Sequence, residues 1–317
     1  MKTAGLHHIT AITGDVQKNV NFYEGFLGQR FVKKTVNFDD PSSYHLYYGD
    51  YVGSPGTALT FFSWAHLPKR TAGYGEANAW YYRILKGSAE YWIDRAEEFS
   101  VPCERVELHQ EEALLLTDPD GYRVYLVEVK NDEEPPLQFW LDGPVPLQHQ
   151  LRGFYGIHLS VLSVDSVAPI LTEVFGYEEV GKEGKVTRFV VPSTHGQVVD
   201  VEEVYDAPRA IQGHGSIHHV AFRAKDSEER EAFRVPLGNL GVSSTEAVER
   251  IFFEATYFWT PAGILFEIST DSPGFTINEP AEALGENMIL PPWYEPHRAE
   301  IVAHLPPITL PRHEKNT

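Results

Sequence analysis

The chain has 317 residues, 42% of them hydrophobic, a formal net charge of −19 and a single cysteine, Cys103. That length and apolar content suit two packed domains, and acidic residues spread along the chain argue for solubility and against nucleic acid as a partner, because phosphate binding needs a basic surface. One cysteine excludes an intrachain disulfide and fits a reducing, cytoplasmic compartment, and neither a signal-peptide core nor an apolar run of membrane-spanning length is found.

Apolar alternation predicts a first strand over Leu6–Ile12, and apolar residues at helical spacing follow from Val16 to Phe26. Gly28 stops that helix, and strands are expected at Arg30–Val36, Tyr44–Tyr48 and Thr57–Trp64. The order then returns with strand Asn78–Leu85, helix Ser88–Phe99 and strands Ala113–Thr117 and Arg123–Val129, the last two joined by a Pro-Asp-Gly turn. A third copy opens at Gly153-Phe154-Tyr155-Gly156-Ile157-His158, ends its helix at Phe175-Gly176-Tyr177 and closes with Val186–Val191 and Gln197–Val204. The fourth opens at Ile217-His218-His219-Val220, with a helix near Ser227–Leu240 and strands at Ile251–Trp259 and Ile264–Ser269.

Four copies of one βαβββ unit predict an α+β protein whose repeats pack on one another to bury their sheets. The expected organisation is an N-terminal domain of two units over residues 1–131 and a linker over 132–151, rich in proline and acidic residues. A C-terminal domain of two units over 152–272 follows, and then an irregular, proline-rich tail over 273–317 that wraps the surface or covers a partner subunit.

Two histidine pairs, His7-His8 and His218-His219, occupy matching positions in the first strands of units one and four. Adjacent side chains of a regular strand face opposite sides, so each pair sends one histidine to a given site, while its neighbour faces the other layer or supports the site from behind. Periodicity leaves open which is which. Glu267 stands in the apolar run Leu265–Ile268, where burying a carboxylate is costly without a metal or a partner. An ion pair with Arg250 is the structural alternative. The position four residues after the turn glycine is Thr60, Tyr125, Asp200 and Glu267 in units one to four. His158 and Asp200 form a conceivable separate site without a third ligand. The other histidines (His45, His66, His109, His149, His195, His214) read as solvated groups of loops and strand ends. Two imidazoles and one carboxylate with open positions suit non-haem iron(II) and oxygen chemistry, although Mn(II) or Zn(II) also fits such a set. Phe222, Phe252, Phe258 and Trp259 are candidates for an apolar ring pocket.

Four βαβββ units with candidate ligands on first and last strands resemble the vicinal oxygen chelate superfamily of glyoxalases, bleomycin-resistance proteins and extradiol dioxygenases. More narrowly, Leu6-His7-His8-Ile9-Thr10, the run from Gly28 to Asp40, Tyr44-His45-Leu46-Tyr47, Ile217-His218-His219, Leu265-Phe266-Glu267-Ile268 and Asp271-Ser272-Pro273-Gly274-Phe275 resemble the hydroquinone-type ring-cleaving dioxygenases. The similarity runs through nearly the whole chain. It implies metal ligands at the second histidine of each pair, His8 and His219, and at Glu267, so that units one and four share the site. It implies supporting positions for His7, Thr10 and His218, and pocket positions for Arg250 and Tyr257. It further implies an iron(II) enzyme that opens hydroquinone or catechol-like rings with O2, takes part in aromatic-compound degradation, and forms a homodimer or higher homo-oligomer. Two rival readings come from the same superfamily. A glyoxalase-type isomerase looks for a second carboxylate where Thr60 stands, and a non-catalytic small-molecule-binding member generally lacks the full ligand set.

Overall fold

The computed structural model describes residues 2–130 and 138–311. Residues 131–137, around the start of the expected linker, and the last six of the tail lie outside the described residues. Unit one consists of β1 (Leu6–Thr13), a helix that begins as α1 (Val16–Val20) and continues with π geometry over Asn21–Phe26, then β2 (Arg30–Val36), β3 (Tyr44–Gly49) and β4 (Ala58–Ser63). Unit two contains β5 (Glu76–Leu85), α2 (Ala89–Glu98), β6 (Cys103–Leu108), β7 (Glu111–Thr117) and β8 (Arg123–Val129). Unit three has β9 (Phe154–Val161), a π-helical turn at Ile170–Val174, β10 (Glu178–Glu183), β11 (Val186–Val190) and β12 (Val198–Glu203). Unit four has β13 (Ile217–Ala224), α3 (Ser227–Asn239), β14 (Val248–Glu249), β15 (Phe253–Trp259) and β16 (Leu265–Pro273). The expected α+β array of four βαβββ units is thus present, and the tail adds a short helix, α4 (Arg298–His304).

Three strands went unannounced by the sequence pattern: β6, β10 and β14. Each lies at a sheet edge, where one side of the strand has no neighbour. Every residue of β10 is exposed and no residue of β6 is fully buried, so neither needs apolar alternation.

Two eight-stranded sheets result, in the orders β14-β15-β16-β13-β1-β4-β3-β2 and β10-β11-β12-β9-β5-β8-β7-β6. Within a unit the first strand pairs with the last, which leaves its other edge open. That edge is closed by the first strand of another unit, β1 against β13 and β5 against β9, both antiparallel. Units one and four therefore share one sheet and units two and three the other. Sheet membership does not follow the halves of the chain.

Each sheet curls strongly. Laid flat, eight strands would hold their edges about 33 Å apart, yet residues at opposite ends touch. In the first sheet Arg250, beside β14, reaches Asp39 of the β2–β3 loop at 3.3 Å. In the second, His109 of the β6–β7 turn lies 3.7 Å from Glu183 of β10. The convex, helix-covered faces of both sheets meet in one core that runs through Phe22, Trp80, Tyr122, Phe154, Phe175 and Phe222. Separate aromatic clusters line the two concave faces.

The described part of the tail folds onto its own unit one. Ile289 donates to the Lys34 carbonyl of β2 at 2.9 Å, and the buried Lys33 ammonium binds Asn278 at 2.8 Å and pairs with Glu279. Phe275 and Leu284 enter the concave face of the first sheet. Among the described residues no helix is long and apolar enough to cross a membrane.

Candidate metal centre

The antiparallel crossing of β1 and β13 sets Thr10 opposite His219 and His8 opposite Ala221. His7 and His218 fall where the register shifts, so each is an extra residue on its strand. A bulge suspends strict alternation. The His7 and His8 rings both pack on Phe253, at 5.2 and 5.0 Å, on the concave side. His218 likewise packs against Phe62, at 5.3 Å. The expectation that neighbours in each pair face opposite sides is corrected accordingly.

Beneath that concave face the two strands bring His8 Nε2 to 3.2 Å from His219 Nε2. On β16, one strand further, Glu267 lies opposite Ala221 and puts Oε2 2.9 Å from His219 Nε2 and 3.6 Å from His8 Nε2. All three side chains are buried, and their ligand atoms lie within 4.8 Å of one another. The outer ring nitrogens are also engaged. His8 Nδ1 contacts His7 Nδ1 at 2.9 Å, and His219 Nδ1 contacts His218 Nδ1 at 2.8 Å. Burial, reinforced by the imidazole of His219, pushes His218 down to about 3, and burial with the nearby His8 holds His7 well below the ordinary histidine range. Both supporting imidazoles are neutral, so each can accept a proton donated from Nδ1 of its neighbour. That proton on Nδ1 leaves the lone pairs of His8 and His219 at Nε2.

Glu267 Oε1 accepts a hydrogen bond from the Ser269 hydroxyl at 2.5 Å, while the buried Oε2 accepts no well-directed bond. Burial opposes ionisation of this carboxyl, but His8 and His219 hold it well below the usual carboxylate range. Once both imidazoles are neutral, their two lone pairs and a carboxylate oxygen converging in a buried space are a costly arrangement without a cation. The donor set fits a divalent metal of the first transition row.

The alternative ion pair between Glu267 and Arg250 does not form. Arg250 donates instead to the Tyr257 hydroxyl at 3.0 Å and to Asp39 at 3.3 Å. Tyr257 faces Glu267 across the β15–β16 ladder, and its phenol is raised by burial and by that carboxylate, so it stays protonated. Ile251 is held at φ 66°, a left-handed conformation that is costly for a β-branched residue. It turns the chain so that Arg250 and Phe252 on either side reach the concave wall. That wall contains Tyr47, Phe252, Phe253 and Phe275. Of the other aromatic residues proposed for it, Phe222 and Phe258 belong to the core on the opposite face, and Trp259 is 62% exposed. A cavity of about 190 Å³ bordered by His218, His219, Trp259 and Glu76 opens beside the site.

Of the histidines read as solvated, only His66 is exposed; His45, His109, His149 and His214 are half-buried and His195 is buried. His195 is 2% exposed at the junction where it pairs with Gly5. His45 lies on the wall of the concave face, its Nε2 2.9 Å from Thr60 Oγ1 and its Nδ1 2.8 Å from the Tyr47 hydroxyl. Thr60 in turn bonds Thr10 at 2.8 Å. The alternation of Tyr44, Leu46 and Tyr48 into the core is the sequence signal that turns His45 and Tyr47 the other way.

The second sheet repeats the architecture without the ligands. Asn78 and Tyr155 fall at its register shifts, so Ala79 and Gly156 stand where His8 and His219 stand. A Cβ on Gly156 would lie 2.3 Å from the Val198 carbonyl oxygen, so no side chain fits there. Asp200 takes the place of Glu267, opposite His158, but its oxygens are filled by Arg188 at 2.8 Å each and by Tyr81 at 3.0 Å. His158 meets Arg123 at 3.3 Å and Glu202 at 3.5 Å.

Residues 5–126 match the sequence profile of the Glyoxalase/Bleomycin resistance protein/Dioxygenase superfamily. The Bacillus subtilis protein named "Putative ring-cleaving dioxygenase MhqO" is 40% identical over 306 residues, which cover 96% of this chain and 97% of that one. The chlorohydroquinone/hydroquinone 1,2-dioxygenase of Sphingobium indicum is 30% identical over 318 residues, 95% of each chain. A crystal structure described as a "putative dioxygenase" from Bacillus subtilis superposes with a TM-score of 0.92 at 39% identity, over 98% of this chain and 99% of that one. Maize glyoxalase I shares the fold alone, with a TM-score of 0.60 at 15% identity over 84% of this chain and 92% of its own. The chain belongs to the Glyoxalase/Bleomycin resistance protein/Dioxygenase superfamily. Within it, the chain is closely related to the Bacillus subtilis proteins named as ring-cleaving dioxygenases, MhqO, MhqE and MhqA.

Proposed function

We propose that the protein is a non-haem, metal-dependent ring-cleaving dioxygenase of hydroquinone-like aromatics, with His8, His219 and Glu267 as ligands and iron(II) as the metal. The observation that carries this reading is the buried convergence of two imidazole Nε2 atoms and a Glu267 oxygen without a donor, beneath an aromatic wall. Kinship with a protein named for chlorohydroquinone and hydroquinone cleavage supports the substrate class. The same reading takes the protein as a cytoplasmic homo-oligomer, which cell fractionation and sedimentation test.

Iron(II) held there supplies Lewis acidity toward a ring hydroxyl and a route for electrons from ring to dioxygen. The protein's own groups do the rest. His7 and His218 fix the tautomers and ring planes of the two ligand histidines. Arg250 keeps a positive charge beside the site, which favours a ring oxygen in its phenolate form. Tyr257 stays protonated and offers a hydrogen bond to an oxygen above Glu267. Phe252, Phe253 and Phe275 present faces and edges on which an aromatic ring packs while water is excluded.

The isomerase reading meets Thr60 where a second carboxylate is wanted, and that hydroxyl is already bonded to Thr10 and His45. The test is oxygen uptake by anaerobically iron(II)-loaded protein given methylhydroquinone, chlorohydroquinone and catechol, with metal content recorded. Uptake with a ring-opened chromophore, absent in Glu267→Ala, is the expected result. Bound metal without uptake would return the isomerase and binding readings to the front. Absence of bound metal would mean that the three residues are not a ligand set.

A further inference from the structure

The concave site of the first sheet has near-twofold symmetry about the His8–His219 pair. From one edge, Tyr257 faces Glu267, Glu267 faces Ala221 and Ala221 faces His8. From the other, Tyr47 faces Thr60, Thr60 faces Thr10 and Thr10 faces His219. Tyr47 is thus the counterpart of Tyr257, and Thr60 of Glu267. Because Thr60 is no carboxylate, the ligand set lies on the unit-four side of that axis. Tyr257 borders the ligands and Tyr47 stands across the site from them.

Each phenol is held by one neighbour. Arg250 Nε binds the Tyr257 hydroxyl at 3.0 Å, and His45 Nδ1 binds the Tyr47 hydroxyl at 2.8 Å. His45 is itself fixed, by Thr60 at 2.9 Å and between the Tyr47 and Phe62 rings at 4.1 and 4.4 Å. The Tyr47 ring packs on Phe275 at 5.0 Å and on Phe252 at 5.8 Å. Tyr47 belongs to the concave-face cluster against which Tyr257 also packs, so the two tyrosines border the same space. The rest of that wall is largely apolar.

A hydroquinone brings two hydroxyls on opposite sides of its ring. One goes to the metal, and the other points away from it into an apolar wall, where a hydroxyl without a hydrogen-bond partner costs affinity. A 1,2-diol carries both hydroxyls on one side and leaves that wall untouched. We propose that Tyr47, positioned by His45, binds the para hydroxyl of the ring and thereby selects 1,4-diols over 1,2-diols. The assignment rests on the dioxygenase reading and adds the residue that distinguishes its substrates.

The test compares hydroquinone with phenol, which lacks only the second hydroxyl, binding to iron(II)-loaded protein without oxygen and followed by calorimetry. Tyr47→Phe lowers the hydroquinone-to-phenol affinity ratio by about tenfold, the size of one lost hydrogen bond, and changes phenol affinity by less than about twofold. His45→Leu, which removes the partner of the Tyr47 hydroxyl, lowers the ratio in the same direction and decides the matter if Tyr47→Phe does not fold. In air, the KM for hydroquinone rises in both variants while that for catechol stays put. Equal losses for hydroquinone and phenol, or an unchanged ratio, overturn the assignment and leave the dioxygenase reading intact if wild-type protein still consumes oxygen. Wild-type protein that binds neither ring overturns both.

Discussion

Arg188 holds Asp200 through two hydrogen bonds of 2.8 Å, at the register position where the other sheet sets Tyr257 opposite Glu267. The two sheets carry the same concave architecture with opposite solutions to one electrostatic problem. A buried carboxylate needs a positive partner. In the second sheet the chain supplies it as a guanidinium, whose remaining nitrogen binds Glu111 at 2.6 Å. Among the described residues of the first sheet no arginine or lysine pairs with the carboxylate, which lies instead between the imidazoles of His8 and His219.

Removing that guanidinium leaves the buried Asp200 without its positive partner. Arg188→Ala is expected to destabilise the protein by roughly 3–5 kcal/mol, the usual cost of breaking a buried pair from one side. Denaturant unfolding measures it. Metal content of the folded variant stays at the wild-type level, because the ligands lie in the other sheet.

On the proposed reading, His7 and His218 act through His8 and His219, which they touch. His7→Leu and His218→Leu remove the acceptors for Nδ1 of His8 and His219. Each is expected to weaken metal affinity about 10- to 100-fold without abolishing it. Competition against a coloured chelator reads that loss, and a variant with unchanged affinity would remove His7 or His218 from this role.

His195 provides a pH prediction. Burial, with Arg223 and Arg83 nearby, pushes it down to about 3 from the ordinary 6.5. The unfolded chain therefore binds a proton that the folded chain refuses. Stability from this group is fully present above pH 6.5 and is lost as pH falls toward about 3, by about 1.4 kcal/mol for each unit within that window. His195→Asn should flatten the wild-type stability slope between those limits, as measured by urea unfolding at stepped pH. A slope that survives the substitution would assign it to other groups.

Much of the site was legible in short stretches of sequence. The repeated strand–helix–strands order named four units, and counting four residues from each turn glycine landed on Thr60, Tyr125, Asp200 and Glu267, which the ladders place at one equivalent position. The histidine pairs and a carboxylate in an apolar strand pointed to the three side chains that converge beneath the concave face. The edge strands β6, β10 and β14 left no such mark, because an exposed strand needs no apolar alternation. His45 was misread as solvated because a lone histidine says nothing of the side on which its strand is covered.

The sequence by itself determined the units and the chemical inventory, since both follow from local periodicity and from residue type. Tertiary structure alone decided that β1 closes on β13, more than two hundred residues away, so that His8 meets His219. It also decided the bulges at His7 and His218 and the left-handed turn at Ile251, which set the side each of these groups faces. The reason is the two-residue period of a strand. One extra residue reverses every later side chain, and whether that residue is accommodated depends on the partner strand and not on the sequence around it.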